Sequence, residues 1–513
     1  MYRLNIKLFS GKINFISILF LILFLGLSLF LRTLNLNKGI SGDEGILSDI
    51  AKLDLNQMFE VIKQIDVYPP VSHILVHHWM FFSQSEVWIR MYFVLFGMGV
   101  CVLIYLIGKE YINERFGILA LAISAFSPLL IFTSQFIRSY GDSAFWMLLS
   151  TFYLLKIIKG KDSGIVWAFY LLSIIVSLYT FYFSVFIIFA QFLLLIIFKR
   201  RERKVLLRSI FVYFLAGLAF LPWLPIAVKQ LTCTPIFNNW ANKGFHVARL
   251  PLGIWTRNIF SLFGFDPYFM IFQGGIIKHF SKSLLMGMVI LTVIGLIFFM
   301  YYILKYLKKL FPRDKTLMWF FIFLIFIPLV LSWVCGEILN FRLNAKYLVI
   351  LHIFFIVLVS VFVYGLWLNK STRALLALIA ILGIFVYRIP MALLPVYDVK
   401  EAIAFLRENL KKEDCILCTV PYLTKELNGA VLRLDTYVRL DESRSNYIFK
   451  SEQAKKDIQN KIKSFDRIWF YRIAGNFEVF GANRLFDEWL KSEGYSISKR
   501  AAFRNIDIIE YGK

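Results

Sequence analysis

The sequence is poor in proline, glycine, cysteine and charge, and each shortage excludes a class of protein. Its 513 residues include 13 Pro and 28 Gly, too few for a disordered or collagen-like chain. Five Cys cannot make a disulfide-rich scaffold. Only 18% of the residues are charged, whereas 59% are hydrophobic and the mean hydropathy is +0.68. Soluble domains are roughly 45–50% apolar, so a purely soluble protein is excluded and a multi-span membrane protein remains.

Acidic residues are scarce beside basic ones, with 33 Asp and Glu against 57 Lys and Arg and a formal net charge of +24. Residues 1–390 carry a net charge of +21, whereas residues 391–513 carry +3. The basic excess therefore lies in the hydrophobic part, where it reports membrane topology rather than a polyanionic partner. We expect no nucleic-acid binding.

Eleven apolar segments are long enough to cross a bilayer, which takes about 20 residues. They lie near 13–31, 88–108, 116–133, 140–158, 165–182, 183–198, 205–228, 284–306, 317–335, 347–368 and 374–389. The first has the basic start of a signal peptide but no small-residue cleavage site, so we interpret it as a retained span. Residues 165–198 form one uncharged run, which as a single helix would be about 51 Å long, so two spans turning near Tyr179-Thr180 fit a bilayer better.

The orientation follows from the loops between these segments. If the N-terminus is cytoplasmic, the inner loops carry 21 Lys and Arg against 5 Asp and Glu. This bias predicts a multi-pass plasma-membrane protein with regions 32–86, 229–283 and 391–513 outside. We expect a membrane domain over 1–390 and a soluble outer α/β domain over 391–513. The alternating patterns of that domain predict helices at Asp398–Leu410, capped at its start, and Ala482–Ser492, and strands at Cys415–Val420, Asp466–Tyr471 and Ile506–Tyr511.

An acidic pair follows the first span in the segment Gly42-Asp43-Glu44-Gly45. Two carboxylates close to the membrane surface can supply a general base beside a structural or metal-binding partner. On the dipeptide alone, an ordinary solvated turn is the more common explanation.

A short apolar stretch at 71–82 follows Tyr68-Pro69-Pro70 and contains His73 and His77. It is too short to span, which predicts an interfacial helix on the outer leaflet. The i, i+4 spacing of the two His residues is compatible with metal ligation, but interfacial histidines are more common.

Four cations lie at predicted outer span ends: Arg90, Arg138, Arg342 and Lys346. Each alone is typical of a side chain that reaches the lipid phosphates. Four near one face, opposite a carboxylate pair, indicate a site for a phosphorylated lipid or sugar.

The cysteines add little. Cys415 and Cys418 lie on opposite faces of a predicted strand, which favours core thiols over a redox motif. Cys233 and Cys335 are both predicted near the outer surface, and their pairing stays open.

Six segments carry a family resemblance when taken in order. They are Asp43-Glu44; Tyr68-Pro69-Pro70 with His77 and Trp79; Ser85-Glu86-Val87-Trp88-Ile89-Arg90; Ser127-Pro128 with Ser134-Gln135 and Arg138-Ser139-Tyr140; Leu221-Pro222-Trp223-Leu224-Pro225; and Lys346-Tyr347-Leu348. This set, which covers most of 13–368, resembles glycosyltransferase family 39 and its relatives, the GT-C fold enzymes that include protein O-mannosyltransferases and lipid A aminoarabinose transferases. The sequence departs at Phe136, where an acidic residue often follows the Gln, at Lys346, which replaces an Arg, and at Tyr68, where the aminoarabinose transferases have a phosphate-binding Lys.

The resemblance implies a polytopic α-helical GT-C-like membrane protein with about 11 transmembrane helices. It implies transfer of a sugar from a polyprenyl-phosphate donor to a hydroxyl of a lipid, glycan or protein acceptor on the outer face, with inversion. Asp43 is the expected base with Glu44 beside it, and Arg138, Tyr68, His77, Arg90, Arg342, Lys346 and Tyr347 are the expected substrate-binding residues. No cofactor is expected, and a role for Mg²⁺ or Mn²⁺ stays open.

Two other classes compete with a transferase. A transporter or glycolipid flippase would place ionisable residues at mid-span, whereas the charges here cluster at outer span ends. A receptor acting through 391–513 would leave the spans and the acidic pair unexplained.

Overall fold

The computed structural model is helical through residue 393 and mixed α/β after it. It describes residues 15–40, 43–64, 66–233, 282–338, 345–369, 372–395, 398–418, 430–433, 438–441, 446–449, 452–473, 482–503 and 506–513. Most of the predicted outer region 229–283 lies outside the described residues, as do Arg342 and the side chains of Asp43, Cys233 and Lys346.

The helical part contains α1 (Phe15–Thr33), α2 (Asp43–Ala51), α3 (Leu55–Gln64), α4 (Val71–Trp79), α5 (Glu86–Tyr111), α6 (Glu114–Ala125), α7 (Pro128–Gln135), α8 (Gly141–Ile158), α9 (Gly164–Thr180), α10 (Ser184–Lys199), α11 (Arg203–Phe220), α12 (Leu224–Cys233), α13 (Lys282–Leu310), α14 (Lys315–Ile338), a 3₁₀ turn (Ala345–Leu348), α15 (Val349–Leu368) and α16 (Arg373–Leu393). Every segment predicted to span is mostly helical where the structure describes it, with breaks at 126–127, 181–183 and 221–223. Within the described residues, five helices have the length and composition of a span, or up to seven if each of two bent pairs is one span. The multi-span helical class is confirmed, and the count of eleven stays a prediction.

The first bent pair is α6 and α7, which meet at 66°. Pro128 is the first residue of α7, and Ser127 caps that helix by accepting a hydrogen bond from the Leu130 N–H at 3.4 Å. The break frees carbonyls at the end of α6, and the buried Arg32 of α1 donates to the Ala125 carbonyl at 3.3 Å and to Ser134 Oγ at 3.2 Å. The bend is therefore held by a buried charge with hydrogen-bond partners on both sides.

The second bent pair is α11 and α12, which meet at 72° around Pro222. Trp223 is buried there with Ile50 of α2 and with Met58 and Ile62 of α3. Its indole Nε1 donates to the Tyr182 hydroxyl at 2.9 Å. The packing of Trp223 against α2 and α3 fixes these two helices at the ends of the long helices.

The uncharged run 165–198 is two helices, as predicted. Helix α9 ends at Thr180 and α10 begins at Ser184, with Phe181 in the extended backbone between them. The Ser184 N–H donates to the Phe181 carbonyl at 3.1 Å, which closes the turn.

The chain divides into two compact units. One comprises Met1–Leu36 and Ile46–Leu393, and the other comprises Asn37–Gly45 and Leu394–Lys513. The acidic pair Asp43-Glu44 therefore groups with the C-terminal residues, where Lys400 Nζ donates to the Asn37 carbonyl at 2.8 Å.

The second unit contains α17 (Val399–Asn409), β1 (Cys415–Cys418), β2 (Ala430–Arg433), β3 (Val438–Asp441), β4 (Asn446–Phe449), α18 (Glu452–Ile462), β5 (Arg467–Ile473), α19 (Ala482–Ser492), β6 (Ser496–Phe503) and β7 (Ile506–Gly512). Five strands form a sheet in the order β2-β1-β5-β7-β6, and β3 pairs with β4 as a separate hairpin. Strands β1, β2 and β5 are parallel, whereas β7 runs antiparallel to β5 and β6.

Most predicted elements of this unit are present, with two differences. Asp398 occupies the position before α17, but its side chain makes no capping hydrogen bond, so the predicted cap is wrong. Strands β2 and β6, the hairpin and α18 were not predicted; β6 is largely exposed, so its pairing with β7 rather than an apolar pattern defines it. Residues 419–420 of the predicted first strand lie outside the described residues.

Candidate outer functional site

The centre of the candidate site is a carboxylate, Asp66, in the short segment between α3 and α4. It is 2% exposed and accepts hydrogen bonds from Arg138 Nη1 at 3.1 and 3.3 Å. It lies 2.8 Å from His73 Nε2 and accepts the Val67 N–H at 2.8 Å. Burial alone raises the pKa of this carboxyl, but the Arg138 charge and the His73 hydrogen bond outweigh burial and lower the pKa to about 2. The group is an ionised carboxylate at neutral pH.

Arg138 lies in the turn between α7 and α8, where the Arg138 N–H donates to Phe136 O at 2.8 Å and the Tyr140 N–H donates to Arg138 O at 2.6 Å. The side chain is 4% exposed, and its guanidinium carbon lies 4.6 Å from the centre of the Tyr68 ring. A guanidinium that is ion-paired on one atom and stacked on an aromatic face has a fixed orientation. Arg138 is therefore held in one position inside the protein, unlike an isolated cation at the membrane surface.

Four aromatic rings lie beside this ion pair, and we call them the aromatic cluster: Tyr68, Tyr140, Phe181 and Tyr347. The Tyr68 and Tyr140 hydroxyls are 2.6 Å apart, and Phe181 stacks on Tyr68 at 5.7 Å between ring centres. Tyr347 lies in the 3₁₀ turn before α15, and its ring centre is 5.9 Å from that of Tyr140 and 5.8 Å from that of Phe181. Four segments distant in sequence therefore meet at one end of the long helices.

The histidines of α4 have different surroundings from those predicted. His73 is fully buried against Asp66, so the interfacial prediction is wrong for this residue. It is buried because Asp66 supplies the hydrogen-bond partner that a buried imidazole requires. His77 is partly exposed, and its Nδ1 lies 2.8 Å from the Ala51 carbonyl. Among the residues whose side chains are described, no three His, Cys, Asp or Glu form a group able to hold a metal ion.

A second buried carboxylate, Asp142, lies in the first turn of α8. Its Oδ2 accepts from the Ser72 hydroxyl at 2.7 Å and from the Tyr92 hydroxyl at 3.3 Å, and its Oδ1 accepts from the Ser143 N–H at 2.9 Å. These bonds join α4, α5 and α8. Because Ser72 precedes His73, they also fix the helix that carries the partner of Asp66.

The structure brings three predicted substrate-binding side chains together: Tyr68, Arg138 and Tyr347. Arg90 is fully buried and donates to the backbone carbonyls of Gln135 at 3.2 Å and Leu36 at 3.1 Å. Asp43 is the first residue of α2, and the Glu44 side chain is buried.

Sequence reasoning missed Asp66, His73 as its partner, and Asp142. A usable signal existed for Asp66, which lies two residues before Tyr68-Pro69-Pro70 in a segment that already carried the resemblance. Asp142 is the one acidic residue in the apolar segment 140–158, and a carboxylate in such a segment marks a buried polar contact.

The structure is that of a polytopic helical membrane protein with a GT-C-like fold and with a polar and aromatic site at one end of its helices. The architecture is similar to that of ArnT from Cupriavidus metallidurans in the apo state, with a TM-score of 0.55 and 11% identity over 96% of this chain and 98% of that one. It is also similar to the Archaeoglobus fulgidus oligosaccharyltransferase, crystallised with zinc and sulfate, with a TM-score of 0.51 and 13% identity over 95% of this chain and 73% of that one. The same enzyme tethered to an acceptor peptide with an NVT sequon gives a TM-score of 0.51 at 14% identity, over 89% of this chain and 69% of that one.

Neither a family profile nor a curated protein matches the sequence. At these identities the structural likeness establishes the fold, and the chemistry has to be argued from the residues.

Proposed function

We propose that this protein is a membrane glycosyltransferase that moves a sugar from a polyprenyl-phosphate donor to an acceptor hydroxyl on the outer face of the membrane. The observation that carries the proposal is the orientation of Arg138 beside the aromatic cluster, in a GT-C fold. An oriented cation and aromatic rings are what a phosphate bearing a sugar and an isoprenoid chain requires.

Arg138 is the proposed contact for the donor phosphate. Breaking the bond between the sugar and the phosphate leaves negative charge on the phosphate oxygens, and a fixed guanidinium stabilises that charge as it develops. Asp66 holds the guanidinium in place, and Tyr68 covers one of its faces. Lys346 and Arg342, which follow in the chain, are proposed to assist.

The aromatic cluster is the proposed wall of the donor site. Tyr68, Tyr140 and Tyr347 combine an apolar ring with a hydroxyl that donates or accepts a hydrogen bond. Such side chains suit a ligand that is apolar at its isoprenoid end and hydroxylated at its sugar end. His77 is proposed to contribute at the margin of this site.

Asp43 is the proposed base, a role that rests on the family resemblance and on its place after the first span. It would take the proton of the acceptor hydroxyl while that oxygen attacks the anomeric carbon opposite the departing phosphate, which gives inversion. Glu44 is the proposed partner of Asp43. The zinc in the Archaeoglobus structure supports the alternative in which both carboxylates hold a divalent ion such as Mg²⁺ or Mn²⁺, since such ions favour oxygen ligands.

The test is transfer by the purified full-length protein in lipid nanodiscs, with polyprenyl-phosphate hexoses and pentoses as donors and with lipid, glycan and peptide acceptors. Asp43→Asn keeps the size of the side chain and removes the proton acceptor, so we expect a loss of about a hundredfold to ten-thousandfold. Asp49→Asn, an exposed carboxylate later in α2, is the matched control and should transfer normally.

A second arm separates the base from the metal. Activity that survives EDTA but not Asp43→Asn supports the base, whereas activity lost to EDTA and restored by Mg²⁺ or Mn²⁺ assigns the carboxylates to a metal. Absence of transfer from every donor by a correctly folded protein, together with glycolipid movement across liposomes, would replace the transferase by a flippase.

A further inference from the structure

A basic cleft lies at the opposite ends of the helices that carry the candidate outer site. This open cleft of about 610 Å³ lies between the end of α5, the end of α8, the loop between α8 and α9, and the first turns of α9 and α11. Four cations line it: Lys156, Lys161, Lys204 and Arg208. The outer site occupies the beginnings of α5 and α8, so this cleft is a separate feature on the face predicted to be cytoplasmic.

The two carboxylates of the cleft are already paired. Glu110 binds Lys161 at 2.8 Å, and Asp162 binds Arg208 at 3.2 Å. Lys156 and Lys204 have no carboxylate partner among the described residues, and the Lys156 ammonium lies 4.5 Å from the centre of the Phe152 ring. The cleft therefore contains two cations whose charge is not compensated by any carboxylate in the described part of the chain.

The backbone at the cleft is open to a ligand. Ser163 precedes α9, but its side chain makes no hydrogen bond to that helix. A side chain added at Gly164, the first residue of α9, would meet no atom within 4 Å. The hydroxyl, the first amides of a 17-residue helix and the lysines are donors of the kind that bind phosphate.

The flanks of the cleft indicate where such a phosphate would come from. Ile165 of α9 is 66% exposed and Leu207 of α11 is 55% exposed, each next in sequence to a residue near the cleft. In a membrane protein these apolar side chains face acyl chains. An anionic group in the cleft would therefore lie beside a lipid-accessible surface, at the level where headgroups meet the helix ends.

We propose that this cleft is a binding site for a phosphate group, supplied by the headgroup of an anionic phospholipid, with Lys156 and Lys204 as its principal cations. The proposal does not depend on the transferase chemistry. The competing explanation is that these lysines only set the orientation of the loops, which requires positive charge but no bound ligand.

The test measures phospholipid retained by the full-length protein, by native mass spectrometry from nanodiscs of phosphatidylcholine with one-fifth phosphatidylglycerol. Lys156→Gln/Lys204→Gln removes the two uncompensated charges. Lys109→Gln/Lys308→Gln removes two charges outside the cleft, at the ends of α5 and α13, which are predicted to lie on the same face of the membrane. We expect the first pair to weaken phosphatidylglycerol retention about tenfold or more and the control pair to leave it unchanged.

Two further measurements make the result decisive. Ser163→Asp keeps a residue favoured before a helix but puts negative charge into the cleft, so it should also weaken retention. Inorganic pyrophosphate, added to protein in pure phosphatidylcholine, reports whether a soluble phosphate binds. A rise in the unfolding temperature that Lys156→Gln/Lys204→Gln removes would support the phosphate site with a soluble source.

Equal retention of phosphatidylglycerol by all variants, with no response to pyrophosphate, would overturn the proposal. The lysines would then serve topology alone.

Discussion

Arg138 and Asp66, 72 residues apart in the chain, form a buried ion pair in which one guanidinium nitrogen donates to both carboxylate oxygens at 3.1 and 3.3 Å. Neither residue is exposed by more than 4%. A buried pair of this kind contributes little net stability, but removing one partner leaves an uncompensated charge. The pair therefore ties the segment before α4 to the turn before α8 and fixes the cation on which the proposed function depends.

Variants of this pair separate its structural and its chemical role. Arg138→Ala should lower the free energy of unfolding by about 3–5 kcal/mol, because Asp66 is left buried and charged. Arg138→Met/Asp66→Asn removes both charges and should recover most of that loss. We expect transfer to remain at least about a hundredfold below the wild type in both variants, since the phosphate contact is missing from each. Near-normal turnover by the double variant would exclude Arg138 from the donor site.

The Asp66 pKa predicts a specific acid sensitivity. Its folded-state pKa of about 2 lies below the ordinary value of 3.8, so the carboxylate contributes stability at higher pH that is lost as the pH falls from about 4 through 2. The difference corresponds to about 2 kcal/mol. Unfolding temperatures measured between pH 5 and pH 2 should fall less steeply in Asp66→Asn than in the wild type. Asp49→Asn, in an exposed pair with Lys52, should follow the wild-type curve.

Arg90 should behave differently from Arg138 although both were predicted to bind substrate. Its guanidinium donates to two backbone carbonyls, so Arg90→Ala leaves buried acceptors without their charged donor and should cost about 3 kcal/mol or more. The KM for the donor, measured on the fraction that stays folded, should not change. A raised KM for the donor in an Arg90→Ala variant of normal stability would instead indicate that Arg90 binds the substrate.

The two thiols of the C-x-x-C segment should be inert. Cys415 and Cys418 are fully buried on opposite faces of the sheet, and burial raises the pKa of Cys415 to about 12. Neither should react with a maleimide at pH 7.5 until the protein is unfolded, whereas Cys introduced by Ser464→Cys on the surface should react at once. Rapid labelling of Cys415 or Cys418 in the folded protein would indicate accessible thiols and would favour a redox motif.

The loop charges predict on which side of the membrane Lys204 and Asp398 lie. Reporter fusions after Lys204 and after Asp398 should report the cytoplasm and the outside, respectively, because the loops between the predicted spans alternate in basic charge. A cytoplasmic signal from the second fusion would contradict the count of eleven spans.

The sequence by itself determined the class of protein and most of its helices. Apolar runs of about 20 residues leave helix formation as the way to satisfy the backbone within a bilayer. The long apolar helices between Phe15 and Leu393 were therefore predictable without any knowledge of their packing, whereas α2 and α3 were not predicted. The end of α9 at Thr180 was predictable because the uncharged run 165–198 is too long for a single span. The acidic pair and Arg138 could be recognised in the sequence because they are charged residues between long apolar segments.

The tertiary structure decided which of these residues form a site. Asp66 is an ordinary loop carboxylate in the sequence, and it becomes a buried anion because Arg138 and His73 surround it. Tyr347 joins Tyr140 and Phe181 because helices separated by more than a hundred residues end at the same place. Such contacts depend on how the long helices pack against one another. The hydrophobic pattern of a sequence shows only which face of a helix is apolar. It does not show which polar groups meet at the helix ends.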